Sequence, residues 1–269
     1  MKKAIVLLGT LFVLLIMTWF TILCFKNLIP DKPSPDDAIF AVVKIQCKEV
    51  GGQCVGRILG TAFLINNGKA LTAHHVLNHK TNPEKEYKHM EIWLLKRGKD
   101  KSYIHIYKNS CKFFKEVDVT LIDLSQQIND VTPLRLSLRN PKIGDKIKNI
   151  GYSYKKGLKI NLKWVNNKIV ITDYNIPKDL EKDKLGTIIW KGPMNSTKCN
   201  DVKLSNVSML QPSFKGCKGM SGGPLLDEHN NVIGLMSIGL PAELYEKEKV
   251  YAVSVNEIIR VFDRNDLYY

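Results

Sequence analysis

"GCKGMSGGPLL", residues 216–226, sets one serine among glycines, as Gly219-Met220-Ser221-Gly222-Gly223. A serine hydroxyl is a weak nucleophile until a base takes its proton. The oxyanion that forms when it attacks a carbonyl then needs hydrogen-bond donors aimed at it. Glycines on both sides let the chain turn sharply, exposing Oγ while the backbone N–H groups of Gly219 and Ser221 converge. The same G-x-S-x-G spacing occurs where strands alternate with helices and where strands follow strands, so the chain around this serine decides the fold.

That chain reads as strands. From residue 38 onward come "AIFAVVKIQC", "VGRILGTAFLINNG", "KALTAHH", "EIWLLKRG", "SYIHIYK" and "DVTLIDL", each short and rich in β-branched or aromatic residues. "NNG" at 66–68 is a turn of the kind that joins antiparallel strands. After "SLRNPKIGD" a second series follows: "KIKNIGYSY", "LKINLKWV", "KIVITDYNI", "GTIIWKG", "SNVSMLQ", "GGPLLDE", "VIGLMSIG" and "YAVSV". Only "NEIIRVFDR" near the end has helical apolar spacing, with Asn256 as its expected N-cap. The pattern predicts an all-β domain over 38–269. Its halves are two packed antiparallel β-barrels, about 38–138 and 139–255, with a closing helix at about 256–264 and a cleft between the barrels. The nucleophile elbow of α/β-hydrolases does not fit, because it needs intervening helices and a histidine well beyond the serine. Here only His229 follows Ser221, eight residues on, in the turn "DEHNN".

The opposite order is present. "LTAHHV" supplies His74 and His75, "DVTLIDL" supplies Asp118 at 43 positions beyond His75, and Ser221 follows 103 positions later. With these three motifs, in this order and at this spacing, the chain from about 38 to 264 resembles the chymotrypsin-like serine peptidases. The resemblance implies His75 as general base, Asp118 as the acid that orients it, Ser221 as nucleophile, and Gly219 and Ser221 as the oxyanion hole. Neighbours on an extended segment point to opposite sides, so His74 and His75 cannot both face Ser221. The choice of His75 comes from the family pattern, which usually has a small residue at position 74. Asp123 and Asp145 are the other nearby carboxylates; Asp123 falls inside a strand pattern and Asp145 at the opening of the second barrel.

Met220 stands where trypsin-type zymogens carry the aspartate that receives a newly cut N-terminus, so activation by such an insertion is not expected. In this it resembles the bacterial Deg-type and glutamyl-endopeptidase branches, and "KVYAVSVNEIIRVF" resembles the closing strand and helix of the Deg-type domain. No PDZ domain is expected, since the sequence runs only to Tyr269. "MSIGL", 236–240, resembles the family's substrate-pairing strand, in which Ser237 and Gly239 offer backbone groups to an extended peptide. The side-chain pocket is expected near Ser213 to Gly216, where Lys215 would favour an acidic side chain. Cys217 lies where some members carry a bridged cysteine, and Cys199 is its candidate partner here.

Ahead of this domain, "MKK" precedes 22 uncharged residues from Ala4 to Phe25, long enough as a helix to cross a bilayer. We read 1–28 as a transmembrane anchor in preference to a cleaved signal, because no small-x-small cleavage site follows. Residues 29–37 form a proline-rich linker. Lys2 and Lys3 keep the N-terminus in the cytoplasm and place the domain outside it, in the periplasm or the extracellular space. Cleavage of this segment would instead make the protein secreted. Cys47 and Cys54, on either side of "KEVGGQ", can bridge adjacent strands in an oxidising compartment. Net charge is +14, of which the first 37 residues contribute +1, and its lysines are scattered with no aromatic-interleaved basic module for nucleic acid. His79, His89 and His105 lack metal-ligand spacing, and no cofactor is implied. The expected partner is a peptide or protein substrate, alongside the membrane. The competing readings are a protease-fold scaffold without turnover and an esterase using the same triad.

Overall fold

A computed structural model describes residues 34–265 and 267, apart from 51, 67, 79–88, 97–102, 125–127, 129–130, 178–180, 200–201 and 241–248. The expected transmembrane helix and most of the linker lie outside the described residues. Among those described, no helix is long and apolar enough to cross a membrane. Residues Pro35–Tyr269 form a compact unit of their own.

The chain enters by a 3-10 turn, Pro35–Ala38, and then runs through β1 (Ile39–Cys47), β2 (Cys54–Asn66) and β3 (Lys69–Ala73). The single helical turn α1 (His74–Leu77) follows, then β4 (His89–Leu95), β5 (Tyr103–Ile106), β6 (Cys111–Phe114) and β7 (Val119–Asp123). The second half supplies β8 (Lys146–Tyr152), β9 (Lys155–Leu158), β10 (Ile160–Val165), β11 (Lys168–Tyr174), β12 (Glu181–Cys199), β13 (Val202–Pro212), β14 (Pro224–Leu226), β15 (Val232–Leu240) and β16 (Lys249–Ser254). Helix α2 (Val255–Asp263) closes the chain.

The first sheet has the strand order β5-β4-β1-β2-β3-β7-β6, and the second closes as a barrel, β12-β13-β16-β15-β14-β8. β1 lies between β2 and β4 and is buried along its whole length, as its nearly unbroken apolar run requires. Cys47 and Cys54 face each other across the β1–β2 turn and are joined. In the barrel, Met236↔Ala252 and Leu235↔Val253 pair β15 with β16, so the strand expected to meet substrate is a central wall element.

Three expectations are corrected. Residues 155–174 do not belong to the second barrel: β9 leaves it to pair with β2, and β10–β11 form a separate two-stranded sheet. Asn166 and Asn167 both adopt positive φ, 50° and 61°, the geometry that a tight two-residue hairpin needs. Ile169, Ile171 and Tyr174 bury one face of this hairpin in the main core, and the Tyr174 hydroxyl donates to the Lys96 carbonyl at 2.5 Å. Next, Ser254, not Asn256, is the N-cap residue of α2, and the Asn256 side chain donates instead to Asn140. Finally, His74 and His75 do not end the strand β3; they open α1.

Candidate functional site

Asp118 is fully buried at the start of β7, and it takes the left-handed conformation (φ 54°, ψ 41°) as it ends the 3-10 turn Lys115–Val117. Aspartate tolerates that conformation better than a branched residue would. A buried carboxylate is costly unless donors surround it. Here the His75 backbone N–H donates to Oδ1 at 3.0 Å, His75 Nδ1 lies 2.8 Å from Oδ2, and the Ser237 hydroxyl also donates to Oδ2. With its proton on Nδ1, the neutral imidazole of His75 leaves Nε2 as an acceptor.

His74 turns elsewhere because successive residues on a helical turn are separated by about 100°, not by the half-turn of a strand. The extended-chain reasoning for separating the two imidazoles therefore does not apply, although the separation itself holds. The His74 backbone N–H donates to the Asp118 carbonyl at 3.1 Å, and its ring packs edge-on against Phe113 at 5.3 Å. His74 as a whole residue is 7% exposed, and its Nδ1 is buried with no hydrogen-bond partner among the described residues. Burial holds the His74 pKa below the usual histidine value, while Asp118 pulls in the opposite direction.

Ser221 is half-buried in a loop shaped by glycine. Gly219 and Gly222 have φ of 97° and 84°, and a Cβ at either would lie 2.3 Å from Tyr154 N or 2.2 Å from Thr61 O. Thr61, which the sequence reading passed over, stitches this loop to its surroundings. Its N–H donates to the Ser221 carbonyl at 2.9 Å, and its hydroxyl accepts from Tyr152 N–H at 2.9 Å and donates to the Gly219 carbonyl at 3.0 Å. The Lys218 carbonyl accepts from Tyr154 N–H at 2.7 Å, so across that trans peptide the Gly219 N–H points the other way. Neither Gly219 N–H nor Ser221 N–H donates to a backbone carbonyl among the described residues. Neither N–H is thus taken up by such a carbonyl, a condition that any donor to a developing oxyanion must meet.

Ser221 Oγ itself donates to the Ser237 carbonyl at 3.5 Å, a long bond that holds the hydroxyl weakly. Ser237 thus meets both halves of the site, through its hydroxyl to Asp118 and its carbonyl to Ser221. The hydroxyl contact is a role that the sequence reading missed. Gly239 is exposed farther along β15, and β14 pairs with β15 no farther than Leu235. The edge of β15 from Ser237 onward therefore lies beyond the reach of β14.

Lys215 is exposed, with no ion pair among the described residues. Its neighbour Ser213 is held against β12: the Ser213 hydroxyl accepts from Thr187 N–H at 3.0 Å, and the Ser213 N–H donates to the Thr187 carbonyl at 2.8 Å. Gly216 fits against Val250, whose Cγ1 would lie 2.3 Å from a Cβ there. Met220 is buried and bonds through its N–H to the Cys217 carbonyl at 3.1 Å. Cys217 is free, so the expected pairing with Cys199 is not formed. Cys111 is also free, and burial pushes its thiol up to about 11. The alternative carboxylates and the alternative histidine are placed apart: Asp145 pairs with Arg139 at 2.8 Å, Asp123 is exposed at the end of β7, and His229 is exposed beside Glu228.

Residues 60–235 match a family model described as a trypsin-like peptidase domain. Among solved structures, the chain is similar to the active form of the Rv3671c protease from M. tuberculosis. The TM-score is 0.55 at 14% identity, covering 87% of this chain and 83% of that one. It is also similar to the MamO protease domain from Magnetospirillum magneticum, with a TM-score of 0.53 at 13% identity over 82% of this chain and 94% of that one. At such identities the likeness is one of fold. No curated protein matches in sequence.

Proposed function

The chain belongs to the trypsin-like peptidase family, a serine endopeptidase by that membership, and we propose that it cuts peptide bonds through an acyl-enzyme on Ser221, with His75 as base and Asp118 as its orienting acid. The observation that carries this reading is the Asp118 carboxylate, buried and bonded at 2.8 Å to His75 Nδ1, which leaves Nε2 to accept a proton. In the first step Ser221 Oγ swings from the Ser237 carbonyl toward His75 Nε2, gives up its proton and bonds to the substrate carbonyl carbon. The Gly219 and Ser221 N–H groups receive the oxyanion. His75 then passes the proton to the leaving amine as the carbon–nitrogen bond breaks, leaving the acyl group on Ser221. Water, deprotonated by the same imidazole, attacks the ester carbonyl, and the imidazolium returns that proton to Ser221 Oγ as the carbon–oxygen bond breaks and the acid leaves. Asp118 orients the ring throughout and stabilises the imidazolium.

An extended peptide would add to β15 at Ser237 and Gly239, so backbone bonds set affinity and a side-chain pocket near Lys215 sets preference. The Ala4–Phe25 run would hold the domain to the membrane, with the domain outside the cytoplasm. The reading without turnover draws on one observation: Ser221 Oγ faces the Ser237 carbonyl at 3.5 Å and not an imidazole nitrogen. Unliganded hydrolases often show such loose geometry, so peptidase action is the better account. A fluorophosphonate probe decides between them. Stoichiometric labelling that Ser221→Ala removes is the expected result, and a folded protein that takes no label would overturn the proposal.

A further inference from the structure

Strand β12 of the second barrel and the loop paired to it expose several large apolar side chains. Leu185 and Ile189 stand outward on β12 at 76% and 50% exposure, while Ile188 between them is buried. The loop 138–145 lies against the same strand, because Gly144 N–H donates to the Ile188 carbonyl at 2.8 Å and Ile188 N–H donates to the Asp145 carbonyl at 3.0 Å. The loop is closed by Arg139–Asp145 at 2.8 Å and by Lys142 N–H to Asp145 at 2.9 Å. It carries Ile143 at 65% exposure and Leu138 at 83%. Large apolar side chains exposed on one strand and its paired loop are the kind of feature that marks a docking face.

The rim is basic. Lys142 and Lys146 are exposed without an ion pair among the described residues, and Lys191 is held by Asn140 and the Pro141 carbonyl, not by a carboxylate. Lys148, the register partner of Leu185, is already paired with Asp183 at 3.1 Å, so the free positive charge lies with Lys142 and Lys146. Isoleucine and leucine beside these suit an anionic lipid surface, where apolar side chains enter the headgroup boundary and lysines meet the phosphates. A nucleic acid would not reward the apolar centre, and an apolar protein partner would not reward the lysines.

The chain's entry point lies on the same wall. Asp36 Oδ1 is 3.8 Å from Lys148 Nζ, and Lys148 on β8 is the register partner of Leu185 on β12. We propose that this wall of the second barrel, centred on Ile143, Leu185 and Ile189, seats the domain on an anionic phospholipid surface. The positional part of this inference rests on the anchored reading above; the surface chemistry does not.

The test uses Pro35–Tyr269, the compact unit, which lacks the apolar run, in sedimentation with phosphatidylcholine vesicles with and without phosphatidylglycerol. The expected result is binding to the anionic vesicles alone. The combined Ile143→Ser, Leu185→Ser and Ile189→Ser variant should weaken it about tenfold or more. Each of Lys142→Gln and Lys146→Gln should weaken it roughly fivefold, with melting temperature and peptide hydrolysis unchanged. Equal binding of neutral vesicles, or equal binding by the serine variant, would overturn the proposal. So would a concentration-dependent dimer that the serine variant abolishes, since a second copy would then cover the wall. Anchoring is read separately, by alkaline extraction of the full-length chain. Extraction of the full chain with vesicle binding intact counts against the anchor alone.

Discussion

The two halves of the molecule build their shares of the site by different means. The first sheet contributes charge: Asp118, buried and coordinated by His75 and by a hydroxyl from the other half, sits at the start of β7, close after α1 in space. The second barrel contributes shape: Ser221 is held by a loop whose close approach to Tyr154 and Thr61 leaves no room for a Cβ at Gly219 or Gly222. The first share is made of side-chain electrostatics and is vulnerable to isosteric changes that alter protonation. The second is backbone geometry and is vulnerable to the addition of a single methyl group.

Substitutions should separate these two kinds of dependence. The largest expected effect in this set is Asp118→Asn, which keeps the shape but favours the wrong tautomer of His75. A loss of about 10⁴-fold in kcat is expected with little change in melting temperature. A loss of melting temperature matching the loss of rate would break the contrast. Gly219→Ala is the counterpart in shape, because its Cβ would meet backbone atoms of Ser153 and Tyr154. It should displace one oxyanion donor, costing about 10²–10³-fold in kcat, while His75 keeps its bond to Asp118 as read by the downfield imidazole proton resonance. Ser237→Ala removes one donor to the Asp118 carboxylate and should cost about 10- to 100-fold, through the charge share alone.

The smallest effect belongs to His74. His74→Ala should keep kcat/KM within about threefold at pH 8, because the ring makes no bond to Asp118 or Ser221. Its signature is in stability against pH. The folded pKa lies below the unfolded value, so the unfolded chain binds the extra proton first, and wild-type stability falls as pH drops through about 6.5 toward the folded pKa. Melting curves across that window should show a weaker acid loss for His74→Phe. An unchanged slope would mean that the ring is solvated and not buried against Phe113.

Much of this site was legible in the sequence because its motifs are local. "LTAHHV", "DVTLIDL" and "GMSGGP" each carry their residue with its immediate context, and the structure brings His75 and Asp118 together as that context implies. What escaped was non-local. Thr61 looks like any strand threonine until Gly219, 158 positions away, receives its hydroxyl. Ser237 was legible for its backbone, but its hydroxyl acquires meaning only through Asp118, 119 positions distant. The strands β10 and β11 were recognised by their pattern yet assigned to the wrong sheet, since alternation fixes which face is buried and not which neighbour buries it; β9 fell between two recognised stretches and was not read as a strand at all. The one-turn helix α1 is too short to show a helical period, so "KALTAHH" read as strand to its end.

The departure of β9 from its own barrel also bears on how the protein is made. The first sheet takes its strand beside Gly56–Ile58 from residues 155–158, and it covers part of its core with Ile169, Ile171 and Tyr174. A ribosome or an export channel delivers the chain from its N-terminus, so the first half emerges with that apolar surface still open and must wait for the segment ending at Tyr174. During that interval the nascent sheet offers an unsatisfied strand edge at β2 to any neighbouring chain. A fragment ending after the first sheet should therefore aggregate on synthesis, and a separately supplied 139–269 fragment should rescue it.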